Sequence, residues 1–325
     1  MNMRRISMLL SVLLVAVSTS MAGAYDFKGK PIRIISGASA GGPTDIVARL
    51  IASNISEPLG TPVVVENITG SLFQTAVRAV STAEPDGHTL MLITTSVAVA
   101  QAVHHSNISF DLAKDVKAVS MVSSGPLVLA ARPGIKVKTV KELIELAKKE
   151  PGKLSFGSGG GTGSAFFLAT ELLKGRTGIE FTHVPYQGGA PAMKDLLGGH
   201  IDLMFNPLPG MINHFKEGTL VPLAVTSKKR IDVLPDVPTM IELGFPDFDI
   251  GNWFGLVTAA ATPDDRVAQL QAEVAKAVAK PDVAAALHKL GSEPAGTSSA
   301  EFDALLKAEL KRWTGVVKER GIKPN

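Results

Sequence analysis

The sequence predicts an α/β protein of two domains, on three observations. Short β-branched runs alternate with segments of helical periodicity, the pattern of a sheet covered by helices. A glycine-rich loop leads from a strand into a helix N-terminus at residues 37–45, and the same device recurs at residues 157–164. Behind an N-terminal targeting segment, about 301 of the 325 residues remain, enough for two domains with separate cores.

The first loop is preceded by Ile32, Ile34 and Ile35, a buried-strand pattern bounded by Pro31 and Gly37. Behind it Ile46, Val47, Leu50 and Ile51 recur at helical spacing, with Pro43 at the first helical position and Gly42 as cap. Small residues let a ligand approach the backbone, and the first helical N–H groups have no partner within the helix. The partial positive charge at that end favours a carboxylate or phosphate. Ser39, Ala40, Gly41, Gly42, Thr44 and Asp45 are therefore candidate ligand contacts, although Asp45 equally suits the acidic first turn of a helix. Gly37-Ala38-Ser39-Ala40-Gly41 also matches the G-x-S-x-G nucleophile elbow, so a serine esterase using Ser39 is the alternative reading. Against it, the helix starts four residues after Ser39 rather than directly behind it, and no HGGG-type segment precedes the loop.

Residues 1–24 read as a secretory signal peptide: Arg4 and Arg5 lead an apolar core from Met8 to Val17, and Ala22-Gly23-Ala24 supplies the cleavage site. The expectation is an exported, periplasmic protein beginning near Tyr25. With no cysteine in the chain, it is not a lipoprotein and folds without disulfides. Removing the targeting segment leaves 31 basic against 30 acidic residues, and no basic, aromatic-interleaved patch points to nucleic acid. The seven histidines include no H-E-x-x-H pair. No metal, cofactor or catalytic set is expected, and the composition is that of a binder.

The remaining elements follow in order. Residues 62–66 form a second strand, residues 74–83 a helix, and residues 88–95 a third strand opened by the turn Pro85-Asp86-Gly87. Ligands gather at the carboxyl ends of such strands, which brings in Thr95. Residues 127–131 are a strand, and Thr139 with Glu142 forms a capping box for a helix over residues 140–149. Residues 154–156 lead into the second glycine-rich loop and an apolar helix over residues 165–174. Ser158, Thr162, Gly163 and Ser164 of that loop are candidate contacts. Residues 181–186 form a strand ending in Tyr186-Gln187-Gly188-Gly189-Ala190, followed by a short helix and strands at residues 201–205 and 220–226. Pro263 starts a long helix, and Ser298 with Glu301 caps the last one. If both glycine-rich loops face one cleft, each contributes donors to a single ligand, at about 1.5–3 kcal/mol for each charge-assisted hydrogen bond. Crossovers between domains are expected near residues 122–126 and 222–226. They give a discontinuous first domain (25–123 and 224–325) and an inserted second one (124–223).

An ordered series of segments resembles the periplasmic solute-binding proteins of tripartite tricarboxylate transporters, the Bug receptors. It includes Lys30-Pro31-Ile32-Arg33-Ile34-Ile35, Ala40-Gly41-Gly42-Pro43-Thr44-Asp45, Val63-Val64-Val65-Glu66-Asn67, His183-Val184-Pro185-Tyr186-Gln187-Gly188-Gly189-Ala190, Gly198-Gly199-His200-Ile201-Asp202-Leu203-Met204-Phe205 and Leu234-Pro235-Asp236-Val237-Pro238-Thr239. The resemblance implies a two-domain Venus flytrap with two hinge crossovers. It would bind a small organic anion, a carboxylate, and deliver it to the membrane permease subunits of a tripartite transporter. A monomer is expected, and a ligand sensor for a membrane signalling system is the other role open to such a receptor. By the same resemblance residues 40–45 form one jaw and residues 158–164 the other, with Tyr186, Gln187, Gly188, Gly189, Ala190 and Asn206 near the cleft.

The chain departs from the family pattern in places. Gly37-Ala38-Ser39 stands where Pro-Phe-Ala is common, and Ser71-Leu72-Phe73-Gln74 where a glycine-rich run follows Gly70. Asn206 stands where aspartate is frequent. Leu72 and Phe73 are therefore expected to reshape the cleft wall, with Phe73 supplying an apolar ligand contact or else filling the first domain's core.

Overall fold

The computed structural model describes residues 27–246, 248 and 250–320. The expected signal peptide and its cleavage site near Ala24 lie outside the described residues. The first lobe opens as β1 (Ile32–Ser36), α1 (Pro43–Ile55), β2 (Val63–Asn67), α2 (Gln74–Ser81), β3 (Thr89–Thr94), α3 (Thr95–Val103) and α4 (Leu112–Asp115). Strand β4 (Val116–Ala131) then leads to α5 (Val140–Lys149), β5 (Ser155–Gly159), α6 (Ala165–Thr177), β6 (Thr182–Tyr186), α7 (Gly189–Leu197), β7 (Leu203–Pro207), α8 (Ile212–Lys216) and β8 (Val221–Val225). The chain closes with β9 (Gly251–Ala259), α9 (Asp264–Ala279), α10 (Pro281–Lys289), β10 (Glu293–Pro294) and α11 (Ser299–Arg320).

Two sheets share β4. Its first part, from Val116 to Pro126, pairs antiparallel with β9, and its last five residues pair with β7 and β8. In the first lobe β1 runs parallel to β2 and β3, while β9 joins β3 antiparallel. In the second lobe β5 runs parallel to β6 and β7. The two sheets therefore meet on one continuous strand, at Pro126–Leu127. Buried Thr226 ties it to the other strand of the crossing: its hydroxyl donates to Ile250 O at 2.6 Å and accepts from Leu127 N at 2.9 Å.

Local chemistry explains the elements that carry the site. Gly42 is extended at the N-cap of α1 with Pro43 behind it, and Val47, Ala48, Ile51, Ala52 and Ile55 turn one face into the core. Thr139 Oγ1 accepts from Glu142 N, and Glu142 reaches back to Lys138 N, which completes the box before α5. Ser164 caps α6 by accepting from Phe167 N, and Gly178 ends it in the left-handed conformation. The glycines of the second loop start later than the sequence suggests, because Gly157, Ser158 and Gly159 belong to β5.

Three elements stand outside the expected pattern. Helix α3 follows β3 without a break, β4 begins eleven residues before residue 127, and β9 fills the centre of the first sheet. One apolar cluster runs across both lobes, joining Ile35 and Phe73 to Phe156, Phe205 and Trp313.

Candidate functional site

Both lobes point the carboxyl ends of their parallel strands at a common seam. The loop after β1 supplies Ser39 and Gly42, and the end of β3 supplies Thr94 and Ser96. From the other lobe come Gly160 and Thr162 after β5, Gln187 to Gly189 after β6, and Asn206 with Pro207 at the end of β7. Neighbours here leave no room for a side chain at the glycines. A Cβ on Gly188 would lie 2.8 Å from Ser39 Oγ and 2.9 Å from Ser39 N, and one on Gly189 would lie 3.2 Å from Pro43 Cδ. The lobes are closed on each other.

The pairing of loops differs from the expected two jaws. Residues 39–43 meet Gly188, Gly189 and Ala190, whereas Gly160 and Gly163 meet Phe73, Leu72 and Ala100. Two further bonds cross the seam: His104 Nε2 with Thr162 Oγ1 at 3.1 Å, and Ala165 N to Ser96 Oγ at 3.3 Å.

Two cavities occupy the seam. The outer one, about 450 Å³, is lined by residues 70–73 of the first lobe and by residues 160–162, His183 and residues 185–187 of the second. The inner one, about 20 Å³, includes Thr44, Thr94, Ser96, Gly188, Gly189 and Asn252 in its wall. Phe73 and Gly160 line both. No lysine, arginine or carboxylate lines either cavity among the described residues, so an anion here would meet neutral donors: hydroxyls, amides and backbone N–H groups.

Leu72, which walls the outer cavity, and Phe73, which borders both, are under backbone strain. Their φ angles are 55° and 63°, a left-handed conformation that side-chain-bearing residues adopt at a cost of about 1–3 kcal/mol each. Phe73, 8% exposed, packs in the apolar cluster and also walls both cavities.

Several predicted contacts hold the walls rather than face the cavities. Asp45 accepts from Gly41 N and Arg49 Nε through one oxygen and from Asn67 Nδ2 through the other. Burial opposes its ionisation, but these hydrogen bonds outweigh burial and hold its pKa below the ordinary carboxylate value. Thr95 is fully buried and joined to Trp253 N and Gly251 O. Ser164 is spent on the α6 cap. Ala40 and Gly41 are exposed at the outside of their loop. Ser158 shares a 2.6 Å hydrogen bond with His183 Nε2. The His183 ring stacks on Phe156, and burial, helped by the charge of Lys174, lowers its pKa.

Ser39, Gly42, Thr44, Phe73, Thr162, Tyr186, Gly188, Gly189 and Ala190 do converge on the seam. Tyr186 donates to Asp195 at 2.7 Å; burial and that carboxylate raise its pKa well above the ordinary phenol value. Asn206 is 1% exposed beneath Gly189 and Gly210, with neither amide atom hydrogen-bonded. Ser39 has no histidine within hydrogen-bonding distance among the described residues, and its helix begins at Pro43. Thr94, Ser96 and Asn252 are wall residues that the sequence did not single out. Thr94 and Ser96 flank the predicted Thr95, so position at the end of a strand was their only signal.

Comparison with known proteins fits this geometry. Residues 47–322 match the family described as "Tripartite tricarboxylate transporter family receptor". The chain is 32% identical to Protein BugT of Bordetella pertussis over 99% of both chains. Among solved structures it is similar to R. palustris Rpa4515 with adipate, at 32% identity and a TM-score of 0.88, covering 92% of this chain and 100% of that one. It is also similar to MatC (Rpa3494) from Rhodopseudomonas palustris with bound malate, at 30% identity and a TM-score of 0.85, covering 90% and 100%. Closed two-lobed architecture, paired loops at a neutral seam and similarity along nearly the whole chain agree: it belongs to the tripartite tricarboxylate transporter receptor family, the Bug solute-binding proteins.

Proposed function

We propose that this protein is an exported, non-enzymatic receptor that closes over a small organic acid and hands it to the permease subunits of a tripartite transporter. The observation that carries the reading is the outer cavity of about 450 Å³ between the lobes, walled by loops of both and free of charged side chains. A carboxylate in it would be held by Ser71, Thr162, His183, Gln187 and backbone donors, with Leu72 and Phe73 setting the apolar limit. The acids bound to the R. palustris proteins, adipate and malate, are of this class.

The lobes would move about the crossing where Thr226 joins Leu127 to Ile250. Residues 224–250 then travel with the second lobe, because Phe248 packs on Phe205 and Val225 bridges Thr239. The leader-like N-terminal sequence supports export to the periplasm; no helix among the described residues is long and apolar enough to cross a membrane. A thermal-shift screen of the purified mature protein against mono-, di- and tricarboxylic acids tests the reading. Stabilisation by at least one acid is expected, and no response across the series would refute it.

A further inference from the structure

The inner cavity holds a group that the closed fold leaves unanswered. Asn252 lies on β9 opposite Gly125, at the crossing between the lobes. It is 1% exposed and lines this cavity, yet neither its Nδ2 nor its Oδ1 has a hydrogen-bonding partner among the described residues. Buried amides are almost always paired, so an unpaired one in the wall of a ligand cleft points to a partner that arrives with the ligand. The cavity of about 20 Å³ admits one water-sized group. The rest of the ligand would lie in the outer cavity, which shares Phe73 and Gly160 with it.

The identity of that group follows from hydrogen-bond inventory. A carboxamide needs an acceptor for Nδ2 and a donor for Oδ1. A carboxylate oxygen satisfies only the first, and an aliphatic chain neither. An ammonium satisfies only the second and would bring a charge into a cavity that no carboxylate lines; Asp45 is already committed to Gly41, Arg49 and Asn67. An O–H group does both, on a water that fills the cavity while the ligand is away or on a ligand hydroxyl that displaces it. We propose that Asn252 is a specificity-determining residue whose carboxamide recognises a hydroxyl on the carbon chain of the bound acid, so that the receptor prefers hydroxylated carboxylic acids to their plain counterparts. The inference rests on the organic-acid reading of this cleft.

The test uses matched probes, malate against succinate and lactate against propionate, on the mature protein and its Asn252→Leu variant, by calorimetry and thermal shift. In the parent the hydroxylated member of a pair that binds should bind at least about fivefold tighter, the lower range for leaving a buried polar atom unpaired. In Asn252→Leu the preference should vanish, and the ligand-free variant should melt no lower than the parent, because an unpaired amide is exchanged for an apolar group of similar size. Binding without a hydroxyl preference, a preference that survives in the variant, or a lower ligand-free melting temperature would each overturn the inference. Failure of any acid in the wider screen to bind the parent would refute the organic-acid reading and the inference together.

Discussion

His104 at the end of α3 and Thr162 in the loop after β5 join the two lobes, with the imidazole Nε2 3.1 Å from the threonine hydroxyl. His104 is 3% exposed, and burial lowers its pKa from the ordinary value of 6.5. A depressed pKa means that the unfolded chain takes up a proton more readily than the closed fold. Stability is then complete above about pH 6.5 and declines as the pH falls through that value towards the lower pKa of the buried ring. His183 is shifted the same way. Melting temperature of the protein saturated with a bound acid, measured from pH 8 to pH 5, should fall below pH 6.5, and His104→Gln should flatten the curve, leaving the share due to His183. An unchanged pH slope in His104→Gln would show that the ring is not sealed in the seam.

Phe73 offers a test of backbone strain. At ordinary positions alanine is more stable than glycine by about 0.5–1 kcal/mol. With φ at 63°, position 73 should invert that order: Phe73→Gly should exceed Phe73→Ala in stability by a similar amount. Both lose the ring, at about 3–5 kcal/mol for an aromatic taken from a core. Urea unfolding of the two variants measures the difference, and the ordinary order would mean that residue 73 does not adopt the left-handed conformation.

How much of this was legible in the sequence depends on whether the information is local. The strand, glycine cap and Pro43 start of α1 and the Thr139 start of α5 lie within a few residues of one another and were readable, whereas Ser164, read as a ligand contact, is the cap of α6. Helix α3 was not, because eight of its nine residues are buried and it presents no polar face to set a period. Strand β9 is buried on both sides and sits between partners drawn from β3 and β4, so its place is a tertiary fact. The site divides the same way. The small-residue loops were visible, but that residues 39–43 face Gly188 to Ala190 depends on how the lobes close. A single asparagine in an apolar strand carries no motif, and only packing shows that Asn252 lacks partners.

Gly188 can be turned into a wedge. Its φ of 172° suits any residue, but a Cβ there would stand 2.9 Å from the backbone nitrogen of Ser39. Gly188→Ala should therefore hold the lobes apart: ligand-free stability stays at the parental level while affinity for a carboxylate that binds the parent falls at least about tenfold, or 1.4 kcal/mol. Parental affinity would mean that Ser39 and Gly188 do not meet in the bound state.

Small-angle scattering tests closure itself. The radius of gyration of the mature protein should shrink on adding an organic acid identified by thermal shift, and the scattering of the bound form should match the closed two-lobed structure described above. The Gly188→Ala variant, saturated with the same acid, should remain more extended than the parent. A parent whose radius is unchanged at saturation, and whose scattering fits an open form with and without the acid, would contradict the account.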